Sequence, residues 1–231
     1  DEGLIKNFRT LKSIDLYKIV KKRKALLSLP ACKQKDVERF LGIEREDTMS
    51  GGELISVYKR YAAHPNEEDR RLLITHNLDD VKGMLLLLPL LSYECLSDAK
   101  ISEISAAISE EEAHVYVNAA LSVAIPKELR QRADDAYVII TENRLKCALR
   151  LYDGCVRYYF DNPKDYVYLI NEEKVIPKAL AGAVAKDAKR PAKAEECFSL
   201  VNVSASQQNE DLYRNILHRV LRKILSYSKR I

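Results

Sequence analysis

The spacing of apolar positions changes character near the middle of the chain. Up to about residue 92 they recur at intervals of three and four, the signature of one helical face. "DLYKIVKKRKALL" (15–27) places Leu16, Ile19, Val20 and Leu27 at that spacing, and "KQKDVERFLG" (33–42) closes on a glycine suited to a left-handed C-cap. Ser50 precedes "GGELISVYKRYAAHP" with Glu53 three residues on, which predicts a capping box and a helix stopped at Pro65. "ITHNLDDVKGMLLLLPLL" (74–91) predicts a long apolar helix with His76, Asp79 and Asp80 at its head.

The second half has a different rhythm. "AHVYVNAALSVA" (113–124), "AYVIITE" (136–142), "RLKCALRLY" (144–152) and "CVRYYFD" (155–161) are rich in Val, Ile and Tyr, and short polar connections separate them. That pattern predicts an antiparallel sheet with tight turns at "ITENRLK" and at Asp153-Gly154. A helix is expected over about 177–187, and a terminal one with Tyr213, Ile216, Leu217, Val220, Leu221, Ile224 and Leu225 on one face, which docks on its own domain. The acidic, weakly patterned "YECLSDAKISEISAAISEEE" (93–112) reads as the boundary between a helical domain, 1–92, and an α+β domain, 93–231.

Composition narrows the function classes. The 231 residues are 47% hydrophobic and 31% charged, which fits one large or two small globular domains and excludes a disordered or fibrous chain. A net charge of +4 favours polyanionic partners only weakly. Five widely spaced cysteines with no C-x-x-C pair argue against a zinc site or a disulfide framework. No signal peptide and no apolar run long enough to span a bilayer are visible, so the chain is expected to be cytoplasmic and soluble.

The candidate chemistry sits at 76–80. On a helix, His76 and Asp80 share a face, whereas Asp79 points about 100° away. Asp80 suits a hard Mg²⁺ ion, and His76 could position or deprotonate an attacking water. Spacing alone leaves the plainer reading open, in which these are capping and first-turn residues favoured by the helix dipole. Lys18, Lys21, Lys22, Arg23 and Lys24 form a basic segment that is either a phosphate-binding surface or a solvated helix face. Tyr158, Tyr159, Tyr166 and Tyr168, interleaved with Arg157 and Lys164, are candidates for base stacking or for half-buried sheet positions. Ser50-Gly51-Gly52 is explained by capping without an anion site.

Several segments match a known family together: "DLY" ahead of a basic helix, "K-x-V-E-x-F-LGI-x-RED", "SGGELI-x-x-Y", and "HN-x-DD" leading into a leucine-rich helix. With them the chain resembles the YprB-like ribonuclease-H-fold family of the DnaQ-like 3′-to-5′ exonucleases. The likeness covers most of 11–198, since "YYFDNPKDYVYLINEEKVIPKALAGAVAKD" and "KRPAKAEECF" look like the small sheet segment that follows the nuclease domain in clostridial-type members. It is most specific over 33–92.

The resemblance implies an α+β chain: the helical C-terminal portion of a ribonuclease-H-like domain, then a small antiparallel-sheet domain with helices. It implies phosphodiester hydrolysis from a 3′ end of DNA or RNA, single-stranded by preference, with Mg²⁺ or Mn²⁺ held by four carboxylates. Asp80 matches the last of these, with Asp79 one register away, and His76 matches the tyrosine-or-histidine position. The Asp-x-Glu strand and the second motif are missing. The literal Asp36-Val37-Glu38 lies in a helical pattern, where the two acids diverge. The chain, which starts at Asp1, is thus expected to be the truncated part of a longer exonuclease, inactive by itself and weak or empty in metal binding. Helices such as those bearing Ile55, Tyr58 and Leu72 would expose apolar faces and call for a missing lobe or an oligomer. The alternative is a non-catalytic nucleic-acid-binding or protein-interaction module built on the tyrosines and the basic helices.

Overall fold

The computed structural model describes residues 13–203 and 210–227. The chain divides into two units, one ending at Glu94 and the other spanning Cys95–Tyr227.

The first unit is helical: α1 (Leu16–Arg23), α2 (Gln34–Leu41), α3 (Gly51–Ala63) and α4 (Glu67–Leu86), then a 3₁₀ turn at Leu88–Leu91 and the short α5 (Ser92–Cys95). Local chemistry sets the ends. Gly42 caps α2 in the left-handed conformation, at φ 77°, and Ser50 with Glu53 forms the complete capping box of α3. The helix expected over 15–27 stops at Arg23, because Ser28 turns left-handed (φ 52°) two residues ahead of Pro30. Its leucines 26, 27 and 29 are nevertheless buried.

A larger correction concerns α4. The helix starts at Glu67, where the Asn66 side chain caps the Asp69 amide, so His76 and Asp80 lie in its middle and are neither caps nor first-turn residues. Asp69, Asp79 and Gly83 are its buried positions. Ile74, Leu78, Val81 and Leu85, on the opposite side by helical spacing, are about half or more exposed. Ile55 and Tyr58 of α3 are exposed as well, and Leu72 is half-buried. No helix among the described residues is long and apolar enough to cross a membrane.

Among its described residues the second unit holds three antiparallel sheets. The first has the order β1 (Ile101–Ser109), β2 (His114–Ala133), β3 (Ala136–Arg150). Val115, Val117, Leu145, Cys147 and Leu149 form its buried face, and the terminal helix α6 (Glu210–Tyr227) packs on β1 and β2. All seven apolar residues singled out on that helix are buried. β4 (Cys155–Tyr159) pairs with β8 (Phe198–Asn202); β5 (Tyr166–Leu169) lies between β6 (Lys174–Pro177) and β7 (Lys189–Pro191).

Three expectations for this unit fail for physical reasons. The segment 93–112 contains β1; a left-handed residue, Glu103 (φ 51°), sits where the pairing register shifts and breaks the alternation that would have revealed the strand. "ITENRLK" is not a hairpin: β3 runs straight through it, and Glu142 (φ 52°) faces Ile125 in an irregular stretch of the ladder. The real turn between β2 and β3 is Asp134-Asp135. The helix expected over 177–187 is a single 3₁₀ turn, Lys178–Leu180, since Ala-rich sequence interrupted by Gly182 has no apolar stripe to dock and Leu180 is exposed. The Asp153-Gly154 turn is present, closed by the Tyr152–Cys155 bridge, but β4 leaves it to pair with β8.

Candidate active site

Gly42 ends α2 and Ser50 starts α3, so the loop between them is short and its side chains stay near both helices and α4. Charged side chains of α2, the loop and α4 meet there. Glu38 of α2 is 1% exposed and accepts two hydrogen bonds from Arg45 Nη1, at 2.8 and 3.1 Å, and one from Gln34. Arg45 Nη2 donates to Asp80 Oδ1 at 2.6 Å. Gly83 is required beside them, because a Cβ there would overlap the Glu38 carboxylate.

Asp47 is the second node. Its Oδ1 accepts the Met49 amide at 2.9 Å; its Oδ2 accepts Lys35 Nζ at 2.9 Å and lies 2.7 Å from His76 Nδ1. Burial by itself would raise this carboxyl, but the hydrogen bonds from His76, Lys35 and Met49 outweigh it and hold Asp47 well below the usual carboxylate range. For Arg45, burial works towards the neutral form, and the Glu38 and Asp80 carboxylates overcome it and raise the guanidinium.

The residues singled out from sequence occupy this cluster in different ways. His76 Nε2 lies 3.3 Å from Asp80 Oδ2, so one helix face brings the two together as an i, i+4 pair. The Asp80 side chain is 43% exposed and forms the open edge of the cluster. Asp79 is buried and accepts the Asp47 backbone amide at 2.8 Å. Asp36 bonds Arg39 at 3.4 Å, away from the Glu38–Arg45 pair. Sequence reasoning missed Glu38, Arg45 and Asp47; the signal was the mixed-charge "EREDT" held between a capping glycine and a capping serine.

The other candidates are more committed. Lys22 pairs with Glu94 at 2.6 Å, and Arg23, buried, pairs with the same carboxylate. Lys18 reaches Asp15 at 3.4 Å, whereas Lys21 and Lys24 are exposed. In the second unit, Tyr159 donates to Asp135 at 2.8 Å, and burial together with that bond raises its hydroxyl. Tyr166 stacks on Phe160, and Tyr168 lies under Arg190. The pocket beside Tyr159 is lined by ion pairs that neutralise one another, Arg157 with Asp135 and Arg219 with Asp161.

Residues 3–92 match the RNase H superfamily. The matched span contains the whole cluster from Gln34 to Gly83, and the second unit lies outside it. No curated protein and no solved structure matches the chain.

The cluster does not by itself fit a divalent ion. Among the described residues no group of three or more His, Cys, Asp or Glu side chains could hold a metal. The reason is visible in the hydrogen bonds: Glu38 is engaged by Arg45 and Gln34, Asp47 by Lys35, His76 and Met49, and Asp79 by the loop backbone. Asp80 has the most exposed carboxylate of the cluster, and its Oδ1 too is engaged, by Arg45 Nη2.

Proposed function

We propose that the first unit is the helical part of a nucleic-acid phosphodiesterase of the DnaQ-like, YprB-like kind, acting from a 3′ end. Asp80 supplies one carboxylate to the reaction centre, and His76 takes a proton from the attacking water through Nε2. The observation that carries this reading is the match of residues 3–92 to the RNase H superfamily, within which His76 and Asp80 share one accessible edge. The remaining acidic ligands for Mg²⁺ or Mn²⁺ come from a further lobe or a partner chain, which would also cover the apolar stripe of α4. This chain alone is accordingly inactive.

Labelled single-stranded DNA and RNA incubated with the chain and Mn²⁺ test the proposal. The expected result is no 3′-end trimming above the buffer control. Trimming that disappears in Asp80→Ala would overturn the claim of inactivity and show a complete site within these residues.

A further inference from the structure

We propose that Asp47 positions His76, fixing its imidazole with the proton on Nδ1 and leaving Nε2 as the bare, proton-accepting nitrogen. The inference rests on the reading of His76 as the base of the site.

Asp47 is a buried carboxylate whose Oδ1 is taken by the Met49 amide, and whose Oδ2 faces Lys35, His76 and, at 3.6 Å, Arg45 Nη2. With a lysine and a backbone amide already donating to it, the group is an ionised acceptor with no proton to give. The 2.7 Å contact to Nδ1 therefore requires the hydrogen on the ring. A neutral imidazole that carries its hydrogen on Nδ1 has an acceptor at Nε2.

The partner is itself held in place. Asp79, three residues beyond His76 on α4, accepts the Asp47 amide, so the helix that carries the ring also anchors the backbone of the residue that orients it. Nε2 then points to the open edge, 3.3 Å from Asp80 Oδ2. In that tautomer Nε2 and Oδ2 are both acceptors, a pair that suits a shared proton donor such as water. The division of labour is that of the aspartate in a Ser-His-Asp triad: it never touches the substrate but selects the tautomer.

The test is a long-range ¹H–¹⁵N correlation spectrum of the full chain with ¹⁵N-labelled histidine, at mildly alkaline pH, with His76 assigned by His76→Gln. The wild type should show His76 protonated on Nδ1 only. In Asp47→Ala the acceptor facing Nδ1 is gone, so the preference for Nδ1–H should be lost in favour of Nε2–H. A wild-type ring protonated on Nε2 only, or on both nitrogens, overturns the proposal, as does an Ala variant with an unchanged ratio. Should Asp47→Ala not fold, the wild-type spectrum decides alone. No nuclease activity enters this measurement, so an Nδ1–H tautomer in a chain that binds no Mn²⁺ at Asp80 would defeat the proposed function and leave the positioning by Asp47 standing.

Discussion

Arg45 joins a carboxylate that water barely reaches to one at the surface. Removing one partner of a buried ion pair leaves the other charge unsolvated, at a cost of about 3–5 kcal/mol, whereas replacing both with apolar groups is often neutral. Arg45→Met should therefore lower stability to chemical denaturation by about that amount, and Arg45→Met with Glu38→Leu should recover most of it. Equal losses in the single and double variants would contradict the pairing. Acid should act through the same cluster. Asp47 has a folded-state pKa below its unfolded value, so it contributes stability above the unfolded carboxylate range and loses it as pH falls. Glu196, held at about 2 against an ordinary 4.5 by its pairing with Arg190, adds a contribution of the same sign in the second unit. The melting temperature should fall as pH drops from about 4.5 towards 2, and a flat profile there would contradict both assignments. At this scale helical spacing revealed that His76 and Asp80 share a face. It hid Asp47 and Arg45 because they reach those residues across 29 and 35 positions, a separation no periodicity records.

Helix ends and stripes follow directly from short-range chemistry, so they were the most legible elements. Ser50 and Glu53 satisfy first-turn amides of α3, and Ser50→Ala should cost about 1 kcal/mol, measured by denaturant unfolding. The apolar face of α6 was equally readable because a stripe at helical spacing has one use, to dock. Leu217, fully buried there, should cost about 2–5 kcal/mol on truncation to alanine; a loss below about 0.5 kcal/mol, the range of surface substitutions, would show that the helix is not part of the core. The strands were legible only where alternation was unbroken. Left-handed residues at Glu103 and Glu142 disguised β1 as a linker and β3 as a hairpin, and neither glutamate is a residue type that advertises such a conformation. The start of α4 was misplaced for another reason: its first two turns, Glu67 to Leu73, are mostly charged, and the apolar run that drew attention begins only at Ile74.

Across the whole molecule the unusual feature is the orientation of α4, with Asp69, Asp79 and Gly83 inward and Ile74, Leu78, Val81 and Leu85 outward. Exposed apolar stripes of this length mark surfaces that take a cover. The chain should bind a hydrophobic dye, and Leu78→Lys with Leu85→Lys should abolish that binding while leaving the melting temperature within about 2–4 °C. A large loss of stability instead would mean that the stripe is already packed. The charged face of the same helix carries the central claim, that Asp80 is an outward-facing metal carboxylate of a nuclease site. Paramagnetic broadening of backbone amides by Mn²⁺ tests it most directly. The account predicts weak broadening centred on residues 76–83 of the wild type and its loss in Asp80→Asn. Broadening spread over other acidic surfaces, or unaffected by that substitution, would contradict it.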